Sequence, residues 1–500
     1  MDLGTAVSLL LVTCVSYLMF ISMWRRIFYG HKLPPGPTPL PIVGNILQVK
    51  GGQLVSSMLK LRDIYGPVFT VYLGPRRVVV LCSYDVIKEA YIDQADDFVT
   101  RGAVPAFERV FRGYGIGVTN GEEWKQLRRF TISTMKNFGM GNKTIEGIIQ
   151  EEVNFLVNEI KKAKGTPIDA SSSFVHASSN VILHITMGER FNYEDKIFKK
   201  LLNNVREGFH IMSSFWGQLY EMFSRIMDHL PGPHQRMFKL LKYLEDFITE
   251  RVENNQKTLD LNNPRDYIDC FLIQREKEKE NTSSVFTIMN LVMTVMDIIL
   301  GAMETTTATT SYGLLALMKH PEIQAKLQEE IDNVTGEKCT PTFADRGKMP
   351  YTKAVIAEIQ RCCDILPMGA AHAVTRDTPF REFVLPKGTN VFSMLTTSLN
   401  DPKYFSDPKK FNPGHFLDEN GSFKKVDAFM PFAFGKRSCP GEGLAQAELF
   451  LFFSNILKNF YLKSPIDLKD VDLTPIESGF ENVPPTYKIC FIPRKGHSMN

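Results

Sequence analysis

The chain has 500 residues, 44% of them hydrophobic, and a formal net charge of +3. That length and apolar share are ample for a large core, and the charge is too mild to argue for a nucleic-acid partner. Its eight cysteines are scattered, with no CxxC pair and no zinc-like spacing, which excludes a disulfide scaffold and fits a reducing compartment.

The first element is an almost wholly uncharged run, Leu3 to Met23, long enough for one bilayer crossing. Asp2 precedes it and Arg25 and Arg26 follow, so the positive-inside rule places the rest of the chain in the cytosol. A cleaved signal peptide would carry its positive charge before the run and end at small residues, neither of which is evident. Residues 1–24 therefore read as a transmembrane signal anchor. With the body in the cytosol, the sequons at Asn142, Asn281, Asn333 and Asn420 stay unglycosylated. Residues 25–45 read as a basic, proline-rich hinge, stiffened by Pro34-Pro-Gly-Pro37-Thr-Pro39-Leu-Pro41. No composition break divides residues 46–500, which read as one mainly α domain of the α+β kind.

Within that domain, Val68–Leu73 and Val78–Leu81 flank Gly74-Pro75 and predict a hairpin. From Tyr84 the pattern is mostly helical. A helix over Ser284–Lys319 is apolar on most sides through Leu300, which predicts a buried position. The charged stretch Arg275–Glu280 ahead of it is solvated surface. Further helices are predicted over His320–Val334 and Tyr351–Asp364, with Pro321 suited to a first turn. Thr375–Asp418 reads as an irregular meander with short strands, and an apolar helix runs from Pro440 to Leu457.

Chemistry concentrates in Phe432-Ala-Phe-Gly435-Lys-Arg437-Ser-Cys439-Pro-Gly441, where each fixed residue has a separate job around a haem. Cys439 can supply a thiolate to iron, which pushes electron density through the metal and favours O–O cleavage. Arg437 can offer a planar fork of donors to a propionate. Gly435 and Gly441 permit tight turns and close approach, and Phe432 can cover the sulfur side of the ring. A lone cysteine in a glycine-bearing turn is more often core. Five matched positions at fixed spacing favour the haem. Pro440 has no N–H, so hydrogen bonds to the sulfur must come from other amides such as that of Gly441.

Glu358-Ile-Gln-Arg361 places an acid and a base on one helix face, a weak signal alone. Its position roughly eighty residues before the cysteine motif resembles the invariant helix pair of the cytochromes P-450, the haem-thiolate monooxygenases. The resemblance extends along the whole chain and is similar to the microsomal family-2 members, including His415 in Pro413-Gly-His415-Phe416 where arginine is usual. Gly414 is a further departure. The resemblance implies the cytochrome P-450 fold, a large helical body with small β-sheets, and a thiolate-ligated haem b with Cys439 as the metal ligand. It implies Arg101, Trp124, Arg128, His372 and Arg437 as propionate partners. In Gly301-Ala302-Met303-Glu304-Thr305-Thr306 it implies an oxygen groove, with Thr305 and Glu304 delivering protons. Ala302 stands where glycine is usual, and its methyl narrows that groove.

Apolar stripes at helical spacing are more often core than ligand contacts. The resemblance nevertheless puts substrate contacts at Phe107, Phe111 and Ile116, at Phe209 with its stripe Met212, Trp216 and Leu219, at Gly301 and Ala302, and at Phe480 and Val483. The best pocket segment is Leu366-Pro-Met368-Gly-Ala370-Ala371, whose small side chains leave room beside the haem. The implied substrate is a small lipophilic molecule, taken with O2. No GxGxxG-type unit is present, so electrons must come from outside. The resemblance implies NADPH–cytochrome reductase, with cytochrome b5 as a second partner, docking on Lys125, Arg129, Lys424, Lys425 and Lys436. A solvated basic face explains those residues equally well. The implied setting is the endoplasmic-reticulum membrane, with lipid touching the aromatic stretch Phe215–Phe238. A haem-thiolate isomerase or peroxide-using enzyme, and a non-enzymatic haem sensor, remain open alternatives.

Overall fold

Turn chemistry and β-branched runs give eleven short strands among the described residues. They are β1 (Val68–Leu73), β2 (Arg76–Leu81), β3 (Thr100–Arg101), β4 (His372–Ala373), β5 (Thr378–Phe380), β6 (Phe383–Leu385), β7 (Asn390–Ser393), β8 (Phe460–Lys463), β9 (Glu477–Ser478), β10 (Asn482–Val483) and β11 (Cys490–Pro493). The structure is a computed structural model that describes residues 33–49, 53–137, 145–336 and 339–494, with scattered positions before residue 18. Apart from those positions the predicted anchor lies outside the described residues, as do residues 25–32 of the hinge and the sequon at Asn142.

The predicted hairpin forms, with Val68 opposite Leu81 and Leu73 opposite Arg76, and Gly74 takes the positive φ that the turn needs. One sheet has the order β1-β2-β7-β4-β3, and its far edge sets Arg101 opposite His372. The remaining strands pair as β5–β6, β8–β11 and β9–β10.

Most of the body is helical. The helices that position the site are α1 (Gly121–Asn137), α2 (Ala170–Met187), α3 (Lys196–Ser213), α4 (Phe215–Met227), α5 (Ile288–Lys319), α6 (Pro321–Thr335), α7 (Pro350–Cys363) and α8 (Glu442–Asn459). The long α5 begins at Ile288 rather than at Ser284. Thr287 caps it, its hydroxyl oxygen accepting the Asn290 N–H at 3.1 Å, so Ser284–Thr287 stays outside the helix. This helix is apolar and long enough to cross a membrane, yet 61% of its most apolar window is buried inside the protein. It is a core helix. Its first half, Leu291–Met303, packs in one hydrophobic cluster and its last turns, Leu314–Met318, in another. At Gly313 a Cβ would collide with Phe453 of α8, so glycine there sets how closely the two helices cross.

Candidate active site

A cavity of ≈ 350 Å³ opens between the middle of α5 and the loop before α8. Cys439, Phe432, Arg437 and Gly441 line it from the loop, and Gly301, Ala302 and Thr305 from α5. Arg101 reaches it from β3, and Trp124 and Arg128 from α1.

The loop is held by its own backbone. The Cys439 N–H donates to Phe432 O at 3.0 Å and the Ser438 N–H to Gly435 O at 3.2 Å. Gly435 has a φ of 82°, and a Cβ there would collide with the Tyr91 carbonyl. Close approach therefore demands glycine at 435. At 441 a Cβ would sit an ordinary 3.8 Å from Cys439 Sγ, so sterics within the protein do not require glycine there. Burial pushes the Cys439 thiol up, opposed by the Gly441 N–H and by the charges of Arg128 and Arg101. The sulfur thus takes its hydrogen bond from Gly441, past the N–H that Pro440 lacks.

Arg437 stacks over Trp124, with Cζ 3.8 Å from the ring centroid. Its Nε donates to Val99 O at 2.9 Å, and Nη2 to Thr119 O and Asn120 Oδ1, both at 2.7 Å. Nη1 is buried without a partner among the described residues. Arg128 Nη2 donates to Ser438 O at 2.6 Å, tying α1 to the cysteine loop. Arg101 Nε donates to Gly117 O at 3.1 Å, and its Nη1 lies 3.3 Å from His372 Nε2. His372 Nδ1 faces Phe98 O at 2.7 Å. Burial pushes its pKa down to about 3. The neutral ring therefore donates from Nδ1 and accepts the Arg101 N–H at Nε2.

Three guanidinium groups thus converge on one cavity. Burial, aided by mutual repulsion, lowers Arg437 to about 9, and burial lowers Arg101 to about 10. The carboxyls on the same wall do not compensate. Burial drives Asp297 and Asp364 up to about 7 and Glu448 well above its usual range. A cavity with surplus cations, one orphaned guanidinium N–H and a thiol at its wall fits an anionic, thiolate-ligated group. Haem with its propionates meets that demand.

The family model for Cytochrome P450 matches residues 34–491. The chain belongs to the cytochrome P450 family. It is 52% identical to human (Homo sapiens) Cytochrome P450 2A13 over 98% of this chain and 100% of the relative. It is 52% identical to mouse (Mus musculus) Cytochrome P450 2A5 over 97% and 99%, and 50% identical to rabbit (Oryctolagus cuniculus) Cytochrome P450 2G1 over 99% and 100%. This P450 is accordingly a haem monooxygenase that uses thiolate-ligated haem b.

In this P450 the α5 motif divides by helical phase. Thr305 lines the cavity and its hydroxyl donates to Gly301 O at 2.6 Å. Beyond its own helix turn, no described residue lies within 4 Å of a Cβ built on Gly301. Glu304 does not share that wall, because successive residues on an α-helix point about 100° apart. Its surroundings are Arg206 of α3 and Glu481.

The predicted substrate contacts divide likewise. Ile116, Gly301, Ala302 and Ala370 line the cavity, joined by Leu366. Phe107, Phe111, Phe209 and Phe480 are off its wall, in an aromatic cluster with Phe107–Phe111 at 5.9 Å and Phe107–Phe480 at 5.5 Å. Met368 turns into the core beneath the five-stranded sheet, and Ala371, next to β4, accepts the Gly102 N–H beside β3 through its carbonyl. Val483 lies in the β9–β10 hairpin, off the wall. Trp216 is 40% exposed at the surface, stacked on His234.

Glu358 and Arg361 are both fully buried and pair through Nη2–Oε1 at 2.7 Å and Nε–Oε2 at 2.8 Å. Arg361 also donates to Leu399 O, Pro408 O and Lys410 O, and Glu358 accepts the Asn412 N–H at 2.8 Å. His415 joins them, with Nδ1 3.2 Å from Glu358 Oε2 and Nε2 2.6 Å from Ser406 O. Two further residues matter here and carry no motif. Asn120 Oδ1 accepts from both Arg437 and the Arg101 backbone N–H. Asp297 accepts the Gly117 N–H at 2.8 Å and holds the loop that follows Ile116 over the cavity. An acid one turn before Gly301 in an apolar helix was the available signal for Asp297; Asn120 offered none.

Proposed function

We propose that this P450 inserts one oxygen atom from O2 into a small lipophilic substrate, using electrons that NADPH supplies through a separate reductase. Hydroxylation, epoxidation or heteroatom oxidation of xenobiotics, steroids or fatty acids is the expected chemistry. The observation that carries this reading is the opposition, across one cavity, of Cys439 with its three arginines to Gly301 and Thr305 of α5. When bound, haem supplies the activation of dioxygen.

The chain's residues do the rest. Cys439 ligates iron, steadied by the Gly441 N–H and the N-terminus of α8. Arg437, Arg128 and Arg101 hold the propionates, with Trp124 and His372 fixing the planes of two of them. Thr305 presents its hydroxyl to the cavity as the last proton donor, with Glu304 behind it as the acid. Ile116, Ala302, Leu366 and Ala370 shape an apolar space that orients substrate by burial.

Residues 1–24 anchor the enzyme in the endoplasmic-reticulum membrane, 25–45 are the hinge, and 46–500 form the cytosolic catalytic domain. Exposed Phe215, Trp216, Ile226 and Leu230 support contact with lipid beside α4. Lys125, Arg129, Lys424, Lys425 and Lys436 are all exposed, and they support docking of the acidic reductase or cytochrome b5. Lys125 pairs with Glu122 and Lys436 with Asp96, so among the described residues the share of that face without an ion pair is Arg129, Lys424 and Lys425.

The test combines the full-length protein, reductase, NADPH and isotopically labelled O2 with a panel of lipophilic compounds. Product carrying one labelled oxygen, and lost in Cys439→Ala, is expected. Labelled product that survives this substitution overturns the assignment.

A further inference from the structure

A second cluster of titratable groups lies between α3 and the β9–β10 hairpin, away from the haem cavity. At helical spacing, α3 presents Arg206, Phe209 and His210, and the hairpin presents Glu477, Phe480 and Glu481. Phe209 and Phe480 meet with ring centroids 6.3 Å apart, and His210 Nδ1 lies 3.4 Å from Glu477 Oε2. The hairpin is firmly seated. The Asn482 N–H donates to Ile365 O at 2.9 Å, its side-chain amide donates to Asp364 O at 2.7 Å, and Gly479 abuts the Ser213 carbonyl.

Exposure falls steadily along this series. The His210 side chain is 61% exposed, that of Glu477 25%, and Glu481 only 3%. Glu481 Oε2 has no hydrogen-bond partner among the described residues. The charges that face Glu481 are those of Glu304 on α5, Glu477 on its own hairpin and Arg206 on α3. Glu304 is the immediate neighbour of Thr305, which lines the cavity. Carboxylates crowded around a buried one cannot all ionise. Burial first, then the neighbouring acids, push Glu481 up to about 8, and burial raises Glu304 as well. A carboxyl at the Glu481 value both takes and releases a proton near neutral pH.

We propose that His210, Glu477, Glu481 and Glu304 form a relay that carries protons from solvent to the Thr305 hydroxyl, with Glu481 as its essential inner member. The proposal rests on the monooxygenase reading above. In that reaction substrate, O2, NADPH and a proton give oxygenated product, water and NADP+. Each relay group accepts one proton on its outer side and releases one on its inner side, so the chain itself is neither consumed nor oxidised. Arg206 supplies the positive charge that lets one of the buried acids ionise in its turn.

The experiment uses Glu481→Gln and Glu481→Asp in the full-length, haem-loaded protein. The ferrous–CO thiolate band and substrate-binding spectrum should match the parent in both variants. Product per NADPH should fall roughly tenfold in Glu481→Gln, with the reducing equivalents released as hydrogen peroxide and a larger solvent deuterium isotope effect. Glu481→Asp should recover most of the coupling. Activity driven by added hydrogen peroxide, which brings its own protons, should stay at the parental level. An infrared band of a protonated carboxyl near neutral pH should vanish in Glu481→Gln. Unchanged coupling with an intact thiolate band overturns the relay, as does an equal loss with peroxide as oxidant. If the parent forms no NADPH-dependent product, the monooxygenase reading fails by itself. The infrared band then decides about Glu481, and its persistence in Glu481→Gln overturns the relay.

Discussion

Arg437 and Trp124, 313 positions apart in the chain, stack with the guanidinium carbon 3.8 Å from the indole centroid. The contact clamps α1 onto the cysteine loop and pre-aims an arginine whose Nη1 has no partner among the described residues. Trp124→Ala removes the surface on which that guanidinium lies and should lower haem content per chain several-fold. Trp124→Phe keeps a ring face and should lose less. The ratio of haem absorbance to protein in purified variants checks this, and equal haem content in all three proteins would contradict it.

The Glu358–Arg361 pair is buried completely, so removing one partner strands a charge. Glu358→Ala and Arg361→Ala should each cost about 3–5 kcal/mol. The meander then loses the anchor that Arg361 provides at Leu399, Pro408 and Lys410. Both variants should accumulate as haem-free or aggregated protein. The midpoint of chemical denaturation measures the loss, and a change below about 1 kcal/mol would show that the pair is dispensable.

Gly435 combines a positive φ with a direct approach to the Tyr91 carbonyl. Gly435→Ala should destabilise the cysteine loop by more than the about 1 kcal/mol that backbone strain alone carries. Gly441→Ala meets only an ordinary contact and should keep its thiolate spectrum. Ferrous–CO spectra of the two variants, recorded after mild heating, separate them.

Asp297 carries a pH dependence whose sign is fixed by burial, which raises its carboxyl from 3.8 to about 7. The folded chain holds a proton that the unfolded chain releases. The stability gained from the neutral acid is complete below the unfolded value and is lost as pH rises toward about 7. Asp297→Asn keeps an oxygen for the Gly117 N–H and does not titrate. Relative to the parent, the variant should gain stability between acid and neutral pH, by roughly 4 kcal/mol at most. Denaturation midpoints of both proteins near pH 5 and near pH 8 test it. A difference independent of pH would place the titration elsewhere.

What the sequence by itself determined was everything carried by local pattern. The Val68–Leu81 hairpin, the long apolar helix ending at Lys319, and the helices over Pro321–Thr335, Pro350–Cys363 and Glu442–Asn459 appear within a few residues of expectation. Alternation, helical periodicity and turn residues are written in consecutive positions. Cys439, Arg437, Gly435 and the Glu358–Arg361 pair were legible for the same reason, since fixed spacing within one loop or one helix turn survives without knowledge of the fold.

Only the tertiary structure decided which side chains share a wall. Helical phase sends Glu304 toward Glu481 while Thr305 faces the cavity, and packing turns Phe107, Phe209 and Phe480 on one another. Asn120 matters only because β3 and the cysteine loop come together on it. Contacts between residues hundreds of positions apart depend on how helices cross and where strands pair. A short sequence window contains no term for either.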